Sequence, residues 1–559
     1  MKRLLLLSAV LALLLPACAP QVVEQPVVQT VVVEQVVKET VEVEVTAEPS
    51  AEEKVLNFAF SEPTMGLDPA IAGTSTSKRV IQFMHDSLWE WDEDMNPQPW
   101  MAESWDIASD YTSYTFHLRP DLKFSDGSPI TAEDVKFSFE YMAESELWEG
   151  RLSVIESIET PDAQTVVINM NRSVPEFMLL PSFQVNYFIV SKAAVEAGAD
   201  FNAAGTPVSG PFVLEEWVPK SHLVLVKNPH WWGVEALGYP KFDKIFHRFN
   251  EQGDAGVAAV ESGAADIFAP VSAKDVPRLR KSPGVMLYEA RRATVRGFGM
   301  DKAEPPFSDK RVRQAIGLAT KPDEATEVCW FDTGGTLWGG IIYPWQKDWY
   351  TDVTPWDKPR DEKLAEAKAL LDEAGWKDED GDGVREAHGV EGVADGTPFE
   401  VSVPFESNWP QAECHTLLLQ DWMSDIGIAI SPDRYDPASY WSDVLDHKFK
   451  MWHYGHGTNL WGPAGFNTIF HSDGAYNQYS FQGSVPELDA MIEEMLAETD
   501  KEKVKELLHE IEVYIADNQF IIATGSQNAL NLVNARVVGY HANSVDSQRA
   551  LITSDIPGR

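Results

Sequence analysis

Two periods of apolar spacing share the stretch SYTFHLRPDLKFSDGSPITAEDVKFSFEYM, residues 113–142. Tyr114, Phe116 and Leu118 recur every second residue, the period of a strand with one face on a core. SDGSP supplies turn chemistry. Thr131 and Asp134 then form a capping box, and Val135, Phe139 and Met142 follow at spacings of four and three on one helical face. DEKLAEAKALLDEAGW predicts a second helix, with Leu364, Ala367, Leu371 and Ala374 on one stripe and Gly375 as its C-terminal stop. Ser484 with Glu487, and Thr499 with Glu502, predict capping boxes for two late helices, with Pro486 in the first turn of the earlier one. Their core faces are Val485, Leu488, Met491, Ile492 and Met495, then Val504, Leu507, Leu508, Ile511 and Ile515. FIIATGSQNALNLVNARVVGY reads as strand. Strands and helices alternate without a strict repeat, which predicts an α/β protein with mixed sheets in more than one lobe.

The N-terminus follows another pattern. Lys2 and Arg3 precede an apolar run from Leu4 to Leu15, too short to span a membrane comfortably and suited to a signal peptide. It ends in LPAC, which resembles a bacterial lipobox, with Leu15 at −3, Ala17 at −1 and Cys18 as the residue to be lipidated; Pro16 departs from the usual small residue. The competing reading is an ordinary secretory signal cleaved nearby. Acylated Cys18 would hold the chain at a membrane by two lipid attachments. Residues 19–53 are low-complexity Val, Glu, Gln, Thr and Pro without an aromatic, which reads as a tether. As a coil it would span about 35 Å, and about 120 Å if stretched.

Composition narrows the partners. A chain of 559 residues can bury two or three cores. A net charge of −42 repels phosphate backbones and anionic headgroups, so nucleic acid is excluded as a partner. The 19 Trp are many, and an indole serves either as core filler or as a flat recognition face. Of the three Cys, Cys329 and Cys414 could pair in an oxidising compartment, two buried thiols being the preferred reading, and no CxxC motif is present.

Candidate chemistry is thin. Ser75-Thr76-Ser77-Lys78 matches S-x-x-K, yet S-D-N and K-T-G are absent, so the run is expected to be a cleft-facing loop; an exported serine hydrolase of the penicillin-recognising type remains the rival class. Asp378, Asp380 and Asp382 begin like a calcium loop, but Gly389 stands where the closing Glu belongs, and an Asx-rich turn is expected. His453 and His456, with His447 upstream, lack the spacing of a ligand set, so no metal and no cofactor is assigned.

Several ordered phrases resemble the extracellular solute-binding proteins of the oligopeptide and dipeptide type that serve ATP-binding-cassette (ABC) importers. They are LDPA (67–70), the run from Met101 to Met142, VSGPFVLEEWVPKSHLVLVKNPHWWG (208–233), SGAADI (262–267), PFSDKRVRQAIGLA (306–319) and AKALLDEAGWKDEDGDGV (367–384). The resemblance implies a non-enzymatic, exported binding protein with a two-lobed periplasmic-binding-protein-like fold, an extra subdomain in the first lobe and hinge closure over a solute. It implies a signal peptide at 1–17 and a lipid-anchored tether at 18–53. The first lobe would take 54–75, 205–293 and 525–559, the extra subdomain 76–204 and the second lobe 294–524. The two hinge crossings would fall near Arg292–Arg296 and Ala523–Gln527. Partners would be a permease and its ATPase, and the protein would be a monomer on the outer face of the cytoplasmic membrane. Some members of that family bind nickel or haem, so a metal- or haem-binding member is a further alternative. WHYGHGTNLWGP (452–463) resembles the family's second-lobe cleft segment but lacks the Asp that holds a peptide's α-ammonium. Trp452, His453, Tyr454, Thr458, Asn459 and Trp461 are therefore expected to line the solute site, joined by Trp409 and Trp338. Aromatic faces and neutral polar groups suit an oligosaccharide slightly better than a peptide.

Overall fold

The computed structural model describes residues 53–559 except 62–63, 73, 93–95, 146–147, 149–151, 175–176, 180–185, 250–252, 293, 354–357, 456–461, 475–476, 541–551 and 558–559. The signal-peptide and tether readings, Cys18 included, lie outside these residues. Glu52–Arg559 forms one compact unit. No helix of the described residues is long and apolar enough to cross a membrane.

The fold is two-lobed. The first lobe is built on a seven-stranded mixed sheet in the order Val285–Ala290, Ala529–Asn534, Ile267–Ala269, Val55–Phe60, Lys244–Arg248, His222–Lys227, Phe212–Val218. Val55–Phe60 is parallel to both its neighbours, and the other pairs are antiparallel. A separate antiparallel sheet joins Ala102–Ile107, Ser113–Leu118, Thr165–Met170 and Ile155–Asp162. Tyr114, Phe116 and Leu118 point into its core as their alternation requires. Thr131 caps the helix Ala132–Ala143 in a capping box with Asp134.

The cores of these two sheets meet at a cluster of indoles. Asp86, fully buried, accepts from the indole nitrogens of Trp100 (3.0 Å), Trp231 (2.7 Å) and Trp232 (2.7 Å). A carboxylate tolerates burial when donors surround it, and these indoles gain an acceptor they would otherwise lack. Trp100 and Trp232 pack against both cores, so the clamp ties the smaller sheet to the larger.

The second lobe centres on an antiparallel sheet in the order Gly334–Thr336, Ile521–Gln527, Arg296–Met300, Met451–Gly455. A parallel pair, Glu400–Glu406 with Ala429–Tyr435, adjoins it. Its central sheet is covered on both faces by separate cores. The helix Arg360–Glu373 buries Ala367 and Leu371, and Gly375 follows with φ +90°, a conformation that favours glycine.

Several expectations are corrected here. Ser75–Lys78 is no loop: it opens the helix Ser75–Met84, whose cap Thr74 accepts from the Ser77 amide, while the Ser77 hydroxyl accepts from the Met65 and Gly66 amides. The two late capping boxes do not form. Val485 precedes the helix Pro486–Ala497, and Asp500, one residue after Thr499, caps Lys501–Asn518 through the amides of Glu502 and Lys503. A carboxylate is the stronger acceptor at a helix N-terminus and takes the role from the hydroxyl beside it. Cys329 and Cys414 are joined in a disulfide, not left as thiols.

Candidate functional site

The chain passes between the lobes twice. Val285–Ala290 belongs to the first-lobe sheet and Arg296–Met300 to the second; Ile521–Gln527 belongs to the second and Ala529–Asn534 to the first. At the crossings the Thr294 and Ser526 hydroxyls hydrogen-bond to each other, and the Tyr343 hydroxyl donates to the Thr294 carbonyl at 2.6 Å. The two crossings are thus linked by a buried contact between hydroxyls.

Beside them lies a cavity of about 790 Å³. Asp254, Ser272 and Lys274 reach it from the first lobe, Asn408, Trp409 and Gln411 from the second, and Arg292 and Asn528 from the crossings. The disulfide also lines it, because Cys414 sits in the first turns of the helix Pro410–Ser424, which starts directly after Asn408 and Trp409. Lys274 is paired with Asp254 at 3.3 Å.

Trp409 marks the second-lobe wall. The Arg296 guanidinium lies over its ring, 4.6 Å from the centroid, and the His453 ring meets it edge-on at 4.9 Å. Below it runs a chain of hydrogen bonds. His453 Nε2 faces His415 Nδ1 at 3.2 Å, His415 Nε2 faces Thr524 Oγ1 at 3.0 Å, and Thr524 Oγ1 donates to the Arg296 carbonyl at 3.1 Å. Since the Thr524 proton is used on that carbonyl, His415 Nε2–H donates to Thr524, and His415 Nδ1 accepts from His453 Nε2–H. Both rings are neutral at physiological pH: burial pushes His415 down to about 3, and burial followed by His415 and Arg296 pushes His453 well below the usual range. Each His415 nitrogen already has a partner in this chain.

Placement of the expected site residues is mixed. Trp409 lines the cavity. Trp452 and Tyr454 do not reach it: both are fully buried in the second-lobe core, and His453 is buried against the opposite core. Their strand has cores on both faces, so its continuous aromatic run is packing rather than a platform. Trp338 is half-buried, with the Lys363 ammonium 4.9 Å from its ring centroid, and does not line the cavity. His456, Thr458, Asn459 and Trp461 lie outside the described residues. Asp378, Asp380 and Asp382 are exposed and spend carboxylate oxygens on the amides of Gly381, Gly383, Asp382 and Val384, as an Asx-rich turn does. Sequence reasoning missed Arg292, Asn408, Gln411 and Asn528. The one available signal was the basic run Arg291, Arg292, Arg296 in a chain with 87 acidic and 45 basic residues.

The family model of the bacterial extracellular solute-binding proteins, family 5 Middle, matches residues 96–478. The chain belongs to the family 5 solute-binding proteins. A Brucella ovis protein named as an ABC transporter peptide-binding protein is 28% identical over 358 residues, 62% of this chain and 61% of that protein. The match thus spans about three fifths of that relative's length. Haem-binding protein A of Haemophilus influenzae is 23% identical over 522 residues, 86% of this chain and 89% of its own. The structure of NikA from Brucella suis in complex with Fe(III)-EDTA superposes with a TM-score of 0.76 at 21% identity, covering 90% of this chain and all of that one. Identity at that level speaks for a shared fold.

Proposed function

We propose that this family 5 protein is a lipid-anchored subunit of an ABC importer that captures a peptide-sized solute in the interlobe cavity and delivers it to the permease. The observation that carries the reading is the cavity itself. Its size lies in the range of small-ligand sites, and residues of both lobes and both crossings line it, so a solute held there bridges the lobes. Such a solute favours the closed form by as much as it binds that form more tightly. Asn408, Gln411 and Asn528 offer paired amide donors and acceptors suited to a peptide backbone. The oligosaccharide reading drew on Trp452, Tyr454, Trp461, Trp409 and Trp338 as stacking faces with His453, Thr458 and Asn459 as polar groups; the burial of Trp452 and Tyr454 takes two of those faces away, and Trp409 is the one that lines the described cavity. The name of the Brucella ovis relative points the same way.

The test is calorimetry and small-angle scattering with di- to pentapeptides and di- to pentasaccharides. Peptide binding with a fall in radius of gyration is expected. Sugar binding alone, or saturation without compaction, would overturn the reading. For the anchor, Cys18→Ser should release the protein from membranes; a fully processed variant still held there would refute acylation at this residue.

A further inference from the structure

The helix Pro322–Trp330 keeps Ala325, Thr326, Cys329 and Trp330 on its buried face. Its outward sector carries Asp323, Glu324 and Glu327, as water requires, and then Val328. Val328 is 46% exposed in the last turn, where a polar residue would complete the pattern, and there it lines the interlobe cavity. A lone exposed valine is ordinary on an open surface. One that ends an acidic stripe in the wall of a concave site is an apolar face turned to whatever fills that site.

The turn after this helix breaks a second local rule. Phe331 has φ +52° and Asp332 φ +57°, the left-handed region that favours glycine or asparagine. The Asp332 amide donates to the Thr326 carbonyl at 3.0 Å and the Thr333 amide to the Trp330 carbonyl at 2.9 Å, which holds the chain there. That backbone fixes where the ring lands. Phe331 belongs to the second lobe and lines the cavity, yet it packs against a first-lobe core that includes Val271 and Leu530, which line the cavity too. Between Val328 and Phe331, Cys329 is bonded to Cys414, so this helix end is fixed to the start of the helix Pro410–Ser424 and to Pro410 at the cavity wall. Pro270 adds an apolar ring from the first lobe. None of Val328, Phe331, Pro410 and Pro270 has a side-chain donor or acceptor to offer a solute, in contrast to the amides of Asn408, Gln411 and Asn528 in the same lining.

We propose that Val328, Phe331, Pro410 and Pro270 form a subsite for a bulky apolar side chain of the solute. The proposal rests on the interlobe cavity being the solute site. It gives that site a side-chain preference beside the amides that suit a peptide backbone. Because Phe331 already reaches the first-lobe core, an apolar side chain seated beside it extends a contact between the lobes. Selection of the side chain and closure over the solute therefore draw on the same surface.

The experiment is calorimetry on the full-length protein in detergent with two equimolar mixtures of tri- to pentapeptides built from Gly, Ser and Asn. One mixture carries a single Leu scanned through every position, and the other carries none. Wild type is expected to bind the Leu mixture at least about tenfold more tightly. Val328→Asn should bring that ratio to about one, and Val328→Ile should keep it. Phe331→Asn removes the ring with a residue that tolerates the left-handed backbone and should also lower the ratio. Equal binding of the two mixtures by wild type, or a Leu preference undiminished in either Asn variant, would overturn the apolar subsite and leave peptide capture standing. No binding of either mixture would overturn both. Thermal melting accompanies each variant, and should one fail to fold, the wild-type ratio and the other variant carry the decision.

Discussion

Removing the disulfide should weaken the second lobe by a measurable and bounded amount. Cys329 and Cys414 are separated by 85 residues, and by chain-entropy reasoning such a crosslink destabilises the unfolded chain by about 4.6 kcal/mol. That value is a ceiling, since residual structure in the unfolded state lowers it, and measured effects of about 2–4 kcal/mol are typical. The double variant Cys329→Ser/Cys414→Ser leaves two small polar groups at the cavity wall and fills the same space. With a urea dependence of about 3 kcal/mol/M, the second-lobe transition should move down by about 1 M. Circular dichroism across a urea titration measures it, with wild type in reductant as a second route to the same state. The intact protein should also weigh less than its reduced form by two hydrogens. Superimposable curves for variant and wild type would refute the reasoning. The binding readout is separate: Cys414 lies five residues beyond Trp409 on the same helix start, so the freed helix end should weaken solute affinity even at urea concentrations where the lobe is folded.

Asp86→Ala strips the acceptor from three indole donors at once and should cost about 3–5 kcal/mol, read as a lower first-lobe melting temperature; a shift under about 1 kcal/mol would show that the clamp is ornamental. Glu512 is buried against the Ile341 and Ile342 amides, and burial raises its carboxyl to about 7. The native state therefore holds a proton that the unfolded chain releases above its usual value of 4.5, so stability falls as pH rises from 4.5 to 7, by roughly 3 kcal/mol in total. Glu512→Gln should flatten that slope and stabilise the protein at pH above this window, measured by chemical denaturation across the pH range. His85 acts in the opposite sense: burial lowers it from 6.5 to about 4, so its contribution is complete above 6.5 and is lost as pH falls through that interval. His85→Gln should reduce the acid sensitivity of the first lobe in the same titration.

Local patterns were legible where one element decides its own fate. Tyr114, Phe116 and Leu118 alternate because one face of their strand is solvent-side, and Thr131 with Asp134 caps a helix through bonds that span three residues. The same reasoning failed at Trp452 and Tyr454, since a strand buried on both faces and an exposed aromatic platform have the same composition. At the late helices it misplaced caps by one residue, where Asp500 outcompetes its neighbour Thr499. The disulfide was invisible because spacing does not encode which thiols meet. The contact of Arg296 with Trp409 was hidden for the same reason: sheet pairing with Gly455 and a helix start bring the two together from distant parts of the chain. What the family resemblance supplied was the frame in which those distant pieces come together.

The solitary position of Trp409 has an optical consequence. Of 19 indoles, Trp89, Trp148, Trp231, Trp330, Trp422 and Trp452 are fully enclosed in cores, and Trp409 is the one among the residues lining the described cavity. The six enclosed indoles therefore contribute emission that a solute in the described cavity does not touch. A ligand titration should show a change on that constant background, and among the described residues the ring at the cavity wall that can report it is Trp409, held against the Arg296 cation. Trp409→Phe supplies the blank: whatever emission change survives in it reports movement of the lobes, and the difference between the two titrations isolates the solute at the cavity wall.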